Sequence, residues 1–311
     1  MDVAEAVYNN SVVMFVHNTS KKNTMRSIIK YYGGKHYISK YLLNVIPEHN
    51  LYIEPFFGGG NLFFSKPPSK MEIINDLSDN IYALYKVIAD KDKLKELQQR
   101  IELTPYHSKF RSDFKEELNK KDLSIEDRAF YYLYVNRSSF NGVGGFSCTK
   151  LIRNNIIRSV SDYLSLIPHL EQIHNRIRTA IVENRDALEL ISKYDAEDVF
   201  FYLDPPYVHS TRKSNQKYMI EMDDEDHERM VDLILKSQSK IMLSGYDNKI
   251  YDRLTDSGWN KLSLESPNTG SESTEYVWLN YDVDYNAKKL EDILESSQKQ
   301  ELQNPKQLSL F

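Results

Sequence analysis

The residues best suited to chemistry in this sequence are Asp204-Pro205-Pro206-Tyr207, which directly follow the apolar run 199–203. Two prolines after a strand fix the backbone and free the preceding carbonyl groups from a sheet ladder. An aromatic amine is a poor nucleophile because its lone pair is delocalised into the ring. Hydrogen bonds from its N–H groups to the Asp204 carboxylate and the Pro205 carbonyl would draw the nitrogen towards tetrahedral geometry, while Tyr207 stacks on the ring. The motif therefore predicts a holder for an aromatic amine; the alternative is a proline-stiffened loop with a capping Asp.

A glycine-rich segment at 54–60, with the sequence EPFFGGG, lies between a predicted strand and a predicted helix. Glycines allow a tight turn there and let the backbone approach a ligand. Many nucleotide and cofactor sites share such a turn, and an ordinary tight turn is the alternative. The three spaced glycines of a dinucleotide site are missing, so a NAD site is disfavoured.

Two acids follow further predicted strands. Asp76 stands where a carboxylate could bind a ribose diol through two charge-assisted hydrogen bonds. Asp186 could accept a hydrogen bond from an adenine amine. Each acid also suits a helix cap, Asp76 for a helix that starts near Ser78 and Asp186 for the helix 187–194. A glycine turn followed by an acid about twenty residues later favours an adenosine-bearing cofactor.

A second glycine pair lies in the segment 30–35, with the sequence KYYGGK. Its glycines, between aromatic residues and lysines, could wrap a small anionic group such as an amino-acid carboxylate. A plain turn with solvated lysines is the alternative.

Alternating strands and helices are predicted to position these residues. The predicted strands are 51–54, 72–75, 178–183, 199–203, 240–244 and 276–281. The predicted helices are 36–46, 78–100, 187–194, 223–237 and 248–256. Strands separated by helices imply parallel pairing and a helix-covered sheet. The stretch 101–175 breaks this rhythm and is predicted to form a separate lobe of helices and loops.

Composition excludes several classes of protein. An apolar fraction of 41% and a charged fraction of 27% are ordinary for a soluble globular protein. The one cysteine, Cys148, excludes a disulfide framework and a multi-cysteine zinc site, so we expect no metal and a reducing cytoplasm. No apolar run approaches the roughly 20 residues needed to span a bilayer.

Charge is unevenly distributed along the chain. The net charge is −5, yet residues 91–180 carry 16 Lys and Arg against 11 Asp and Glu. Clustered bases predict a phosphate-facing patch, although a solvated surface with scattered bases is the alternative. The bases are Arg137, Lys150, Arg153, Arg158, Arg176 and Arg178.

Taken together and in order, these motifs resemble those of Dam-type alpha-group adenine-N6 DNA methyltransferases, which are found in bacteria and phages. The matching pieces between Arg26 and Tyr281 are 30–35, 54–60, Asp76, 136–142, Asp186, 204–207 and 244–247. The resemblance implies an α/β, Rossmann-like catalytic domain of seven strands that uses S-adenosylmethionine (SAM), with a mainly helical target-recognition lobe inserted between Asp76 and Asp186. It implies SAM contacts by Tyr31, Lys35, Asp76 and Asp204, in a pocket also lined by Phe56, Gly58, Gly60 and Asp186.

The resemblance also divides the chain. It implies SAM binding by residues 25–100, target recognition by 101–175 and a second catalytic part at 176–286. A flipped adenine would reach Asp204, Pro205, Pro206 and Tyr207, with Asp204 as a hydrogen-bond acceptor rather than a base. Residues 1–24 are expected to be a dispensable extension, or to precede a start at Met25.

Sequence recognition is expected in the lobe, because Arg and Asn read guanine and adenine edges through paired hydrogen bonds. The candidates for contact with DNA are Arg137, Asn141, Lys150 and Arg153.

The C-terminal region 287–311 is predicted to contain a helix and a polar tail. A tail that ends in apolar residues, with no core of its own to bury them, suits a groove on a partner. Its last five residues resemble the pentapeptide by which bacterial proteins bind the replication sliding clamp, and packing back on its own domain is the alternative. The anchors would be Gln307, Leu308, Leu310 and Phe311.

Three other functions remain open from the sequence. A cytosine-N4 or RNA methyltransferase would use similar chemistry, although Asp rather than Ser before the two prolines favours adenine. A non-enzymatic, clamp-associated DNA-binding protein would tolerate the loss of Asp204. A small-molecule SAM enzyme would not need the basic lobe.

Overall fold

The computed structural model describes residues 25–30, 39–208, 221–265 and 274–283, together with the backbone of one strand near the N-terminus. Ten strands lie in these ranges. They are β1 (Ser11–Phe15), β2 (Leu51–Glu54), β3 (Met71–Asn75), β4 (Ile152–Arg153), β5 (Ile156–Ile157), β6 (Ile181–Glu183), β7 (Val199–Leu203), β8 (Lys240–Tyr246), β9 (Asn260–Glu265) and β10 (Glu275–Leu279).

Eleven α-helices lie in the same described ranges. They are α1 (Ser39–Leu42), α2 (Asn61–Ser65), α3 (Asp79–Ala89), α4 (Lys91–Leu103), α5 (Ser108–Glu117), α6 (Ile125–Ser138), α7 (Arg158–Leu164), α8 (Leu166–Ile177), α9 (Ala187–Tyr194), α10 (Asp224–Ile234) and α11 (Lys249–Asp256). Short 3₁₀ turns occupy Leu43–Val45 and Phe140–Gly142.

Eight of the strands form one sheet in the order β1-β9-β10-β8-β7-β2-β3-β6. Only β10 runs antiparallel to its neighbours, and the other pairs are parallel. Without β1 the sheet has seven strands, so the predicted α/β, Rossmann-like class is confirmed. The strand β1 extends this sheet by pairing with β9, which gives part of the N-terminal segment a place in the fold.

The central strand β7 shows why this sheet is covered on both faces. All five of its residues are buried. Side chains alternate along a strand, so Phe200 and Tyr202 join one apolar cluster, while Phe201 and Leu203 join the other. The first cluster includes buried residues of α3, α4, α6 and α8, and the second includes those of α9, α10 and α11. A continuous apolar run is what such a doubly covered strand requires.

The region 101–175 is mainly helical, as predicted. Its helix α6 packs on α3 and α5, and the short strands β4 and β5 pair into a hairpin. Both turn residues of this hairpin, Asn154 and Asn155, have positive φ angles of 53° and 61°. Two successive left-handed residues form the tight turn that two-residue hairpins favour, and asparagine tolerates that conformation well.

Some predicted elements were wrong in their bounds, and some strands were missing from the prediction. The predicted helix 78–100 is two helices, because the Asp90 side chain accepts hydrogen bonds from the backbone N–H groups of Asp92 and Lys93 and caps α4. The predicted strand 178–183 begins only at Ile181, since α8 and a turn occupy the residues before it. The strand β9 was not predicted.

Within the part of the chain that the structure describes, no helix is long and apolar enough to cross a bilayer.

Candidate active site

Five of the predicted site residues line one pocket at an edge of the sheet. Phe56 follows β2, Asp76 follows β3, Asp186 follows β6, and Asp204 and Pro206 follow β7. These strands are parallel, so their carboxyl ends lie at the same edge, where α/β sheets bind ligands. Apolar side chains on the pocket wall include those of Ile81, Leu188 and Met222.

The glycine-rich turn is tied to the end of β3 through Asp76. The backbone N–H of Gly58 donates to Asp76 Oδ2 at 2.7 Å, and the backbone N–H of Ser78 donates to Oδ1 at 2.9 Å. Burial raises the pKa of Asp76 to about 6, although both hydrogen bonds oppose the rise. The carboxylate is therefore held firmly in orientation while it also forms part of the pocket wall.

Gly60 allows the backbone conformation and the close packing of the same turn. Its φ is +61°, and a Cβ at this position would lie 2.3 Å from the Phe57 ring. The ring itself is buried against Phe63 and Tyr85. Only glycine meets both the backbone and the packing requirement, so the turn after β2 needs this residue whatever it binds.

Asp186 caps a helix and also lines the pocket. Its Oδ1 accepts hydrogen bonds from the backbone N–H groups of Leu188 at 2.8 Å and Glu189 at 3.1 Å, and so caps α9. The side chain also lines the pocket. A capping acid at a helix N-terminus is held in place by the helix it caps.

Asp204, the acid of the Asp-Pro-Pro-Tyr motif, directly follows the central strand β7. Ser244 Oγ donates to Asp204 Oδ1 at 3.1 Å, from the neighbouring strand β8. Pro206 lines the pocket, and Pro205 is buried beside it in the chain. The acid and the second proline of the motif therefore face the same cavity as Asp76.

The aromatic residue of the motif is anchored by two residues that the sequence reasoning did not assign. The Tyr207 hydroxyl donates to Glu275 Oε1 at 2.9 Å. Its ring centroid lies 4.3 Å from that of Tyr246, at an interplanar angle of 43°. Glu275 pairs with Tyr246 in the β10–β8 register, so one strand pair sets both anchors. The resemblance of segment 244–247 to the family was the available signal for Tyr246.

A second buried acid, also missed from the sequence, lies near Asp204. Glu54, the last residue of β2, is 2% exposed and accepts a hydrogen bond of 2.5 Å from the Tyr52 hydroxyl. Burial raises the pKa of Glu54 to about 8; the Tyr52 hydrogen bond and the charge of Lys66 oppose this rise, and the charge of Asp204 adds to it. Glu54 is therefore mostly neutral at pH 7, which limits the negative charge near Asp204.

The prediction that Arg176 belongs to a phosphate-facing patch was wrong. Its guanidinium is buried and pairs with both Glu72 oxygens, at 2.5 and 2.8 Å. It also donates to the carbonyl of Phe63 and lies over that ring. Lys66 binds the same Glu72 carboxylate at 2.6 Å. Charges that are withdrawn from water require such partners. This buried network therefore belongs to the core and does not face phosphate.

The four candidates for DNA contact lie in the helical region, with different exposure. Arg137 is half-buried, and its Nη2 donates to the carbonyl of Asp162 at 3.2 Å. Arg153 is exposed on the hairpin and pairs with the Asp162 carboxylate at 3.0 Å. Lys150 and Asn141 are exposed, and Asn141 has a left-handed φ of 50°.

Several predicted residues lie outside the described residues. They are Tyr31 and Lys35 in the segment 30–35, and Gln307, Leu308, Leu310 and Phe311 in the C-terminal tail.

A mostly parallel sheet of this order, with acids at the ends of β3, β6 and β7 around one pocket, defines a protein of the Rossmann-like methyltransferase class. Residues 31–269 match the D12 class N6 adenine-specific DNA methyltransferases, and the chain belongs to that family. The family predicted from the motifs is thus confirmed. Membership implies that the enzyme uses SAM and acts on DNA.

Individual relatives agree with this assignment. The type II methyltransferase M1.LlaDCHI of Lactococcus lactis subsp. cremoris is 28% identical over 85% of this chain and 99% of its own length. The type II methyltransferase M.MjaIII of Methanocaldococcus jannaschii is 24% identical over 72% of this chain and 85% of its own. The DNA adenine methylase of Escherichia coli (strain K12) is 24% identical over 63% of this chain and 69% of its own.

Proposed function

We propose that this chain is a site-specific DNA methyltransferase that moves a methyl group from SAM to the exocyclic amine of a flipped adenine in duplex DNA. The observation that carries the proposal is the shared pocket of Asp76 and Asp204, at the ends of β3 and β7. Asp76 suits a ribose, and Asp204 suits an aromatic amine. The names of two relatives, both type II methyltransferases, support a restriction-modification role. A cytoplasmic location is proposed because the single cysteine suits a reducing compartment.

The chemistry of the pocket wall fits SAM. Asp76 offers a carboxylate to the ribose hydroxyls of SAM. Asp186 can accept a hydrogen bond from the adenine amine of SAM. Ile81, Leu188 and other apolar side chains suit the flat adenine ring. Bound SAM would supply an electrophilic methyl group on a sulfonium. Phe56, Gly58 and Gly60 complete this proposed site, with Tyr31 and Lys35 added by resemblance to the family.

The protein's own part in the reaction is to hold the amine. The Asp204 carboxylate and the Pro205 carbonyl would accept its two N–H groups, which directs the nitrogen lone pair towards the methyl group. Tyr207 would stack on the base. Alignment and exclusion of water supply much of the rate, because the positive charge of the sulfonium is spread out in the transition state as it passes to the amine. The protonated product amine is acidic enough to lose its proton to solvent, so no general base is assigned.

The base must leave the duplex before it can reach Asp204, at a cost of a few kcal/mol. We assign target recognition to the region 101–175, with Arg137, Asn141, Lys150 and Arg153 as contacts. Loss of a phosphate contact among them weakens binding to every duplex alike, whereas loss of a base contact weakens discrimination between duplexes.

A bacterial replication sliding clamp is proposed as a second partner, through Gln307, Leu308, Leu310 and Phe311. The support is the resemblance of the last five residues to clamp-binding peptides. Surface plasmon resonance with purified clamp compares the full chain with a Leu308→Ala, Phe311→Ala variant. Loss of clamp binding with unchanged methylation of a short duplex is expected, and equal clamp affinity would remove the proposal.

The enzymatic proposal is tested by incubating purified protein with duplex DNA and methyl-labelled SAM, then separating the nucleosides by mass spectrometry. Labelled N6-methyladenine is expected, and labelled N4-methylcytosine or no label would contradict it. An RNA substrate run in parallel should remain unlabelled. Asp198→Ala is a matched control, because this acid precedes β7 at the end of the strand remote from Asp204. It should retain activity.

A further inference from the structure

A buried serine stands behind the acid of the Asp-Pro-Pro-Tyr motif. Ser244 lies on β8 and is 1% exposed. Leu203 pairs with Leu243 in the parallel β7–β8 register, so Ser244 follows its strand partner just as Asp204 follows Leu203. This register brings the serine hydroxyl within 3.1 Å of Asp204 Oδ1. The contact therefore arises from the two central strands and not from a mobile surface loop.

The hydroxyl of Ser244 has three oxygen neighbours but only one proton to donate. They are Asp204 Oδ1 at 3.1 Å, the Tyr202 hydroxyl at 3.2 Å and the Leu203 carbonyl at 3.4 Å. A carboxylate is the strongest acceptor of the three, and its distance is the shortest. Ser244 therefore donates to Asp204, and the Tyr202 hydroxyl donates to Ser244. Such a chain of hydrogen bonds strengthens its members.

We propose that Ser244 is a positioning residue for methyl transfer, which holds one oxygen of Asp204 so that the carboxylate keeps the orientation needed to accept the target amine. The inference rests on the proposed function, because it acts only through Asp204. Ser244 is too deeply buried to touch DNA itself. Tyr202, also buried, supports the serine in turn.

The rotation of a carboxylate explains why such support matters. An unsupported Asp side chain has a broad χ2 torsion, so its oxygens would sample many orientations. A misplacement of about 1 Å at a reacting centre can cost on the order of a hundredfold in rate. Support from Ser244 acts on the rate of transfer and leaves the binding of duplex DNA unchanged.

The test measures single-turnover methyl transfer at saturating SAM and DNA with full-length protein. Ser244→Ala is expected to lower the rate constant about tenfold or more, as loss of a charge-assisted hydrogen bond predicts. Its KM for DNA should stay within about twofold of wild type, since only the transfer step depends on the carboxylate orientation. Tyr202→Phe should produce a smaller fall, because it lies one hydrogen bond further away.

The pH profile supplies a readout that loss of packing would not move. Without the serine donor the ionised carboxylate is less favoured, so the acid side of the rate profile should shift to higher pH in Ser244→Ala. Ser263→Ala is the matched control, since it removes a buried serine hydroxyl from β9. It should leave the rate constant and the profile unchanged.

The outcomes separate this inference from the proposed function. Ser244→Ala with wild-type rate and pH profile, alongside an inactive Asp204→Ala, would overturn the positioning role and leave the proposed function standing. An active Asp204→Ala would instead overturn the assignment of the acid. A fall in Ser244→Ala that Ser263→Ala reproduces would also contradict the inference.

Discussion

The backbone N–H of Gly58 donates a hydrogen bond of 2.7 Å to the carboxylate of Asp76 and joins the turn after β2 to the end of β3. A second N–H, from Ser78, holds the other oxygen. The glycine-rich turn therefore orients the acid that faces the pocket. Each carboxylate oxygen retains a lone pair for a further donor.

Replacement of Asp76 by Asn should weaken SAM binding about tenfold or more, because the ribose loses its charge-assisted acceptors. Isothermal titration calorimetry measures the change directly. Asp79→Asn is the control, since Asp79 is exposed in the first turn of α3. Equal affinities of wild type and Asp76→Asn would remove the ribose contact from the account.

The affinity for SAM should also depend on pH through Asp76. Its pKa is raised to about 6, so the carboxylate is ionised above this value and becomes protonated as pH falls through it. We expect constant affinity from pH 8 to pH 7 and a progressive loss below about pH 6. Asp76→Asn should show little change over this range. A flat wild-type profile down to pH 5 would contradict the prediction.

The stability of the protein should fall as pH rises, through Glu54. Its pKa is about 8 in the fold against 4.5 ordinarily, so between these values the folded state binds more protons than the unfolded state. The free energy of unfolding therefore decreases with pH in this window, with a slope from this group of at most about 1.4 kcal/mol per pH unit. Glu54→Gln, which keeps an acceptor for Tyr52, should remove that slope.

Chemical denaturation at pH 6, 7 and 8 measures these slopes. Glu48→Gln replaces an exposed acid of the same region and should leave the wild-type slope intact. Identical slopes for wild type and Glu54→Gln would show that Glu54 is ionised in the fold.

Replacement of Gly60 by Ala should destabilise the fold by about 1–3 kcal/mol, because a left-handed backbone and a clash with the Phe57 ring act together. Denaturant unfolding measures the loss. Gly145→Ala is the matched control, since a Cβ there has nothing within 4 Å. A Gly60→Ala variant as stable as wild type would show that the turn relaxes freely.

The positions of the site acids were predictable from sequence, and so was the helix cap that holds Asp186, but the supports that come from distant parts of the chain were not. An apolar run followed by an acid marks Asp204 because a doubly covered parallel strand is apolar throughout and its polar residues start at its end. The hydrogen bond from Tyr207 to Glu275 joins the segment after β7 to β10, and no local sequence pattern connects these two residues. The same is true of Arg176, whose partner Glu72 lies on β3. A charge count treats a buried ion pair and a free surface base alike.

Local signals explain the errors in element bounds. Asp90 followed two residues later by Asp92 is a helix-start pattern, so the break in 78–100 could have been found. The strand β9 offers only Leu262 and Leu264 as buried apolar residues, in a polar segment. Its place in the sheet comes from pairing with β10 and β1.

Methylation-aware sequencing of DNA from cells that express this chain tests the central claim most directly. Wild type should place N6-methyladenine at one recurring sequence, and Asp204→Ala should place none while it remains folded by thermal unfolding. Asp198→Ala should reproduce the wild-type pattern. Absence of N6-methyladenine with wild type, or an unchanged pattern with Asp204→Ala, would contradict the account.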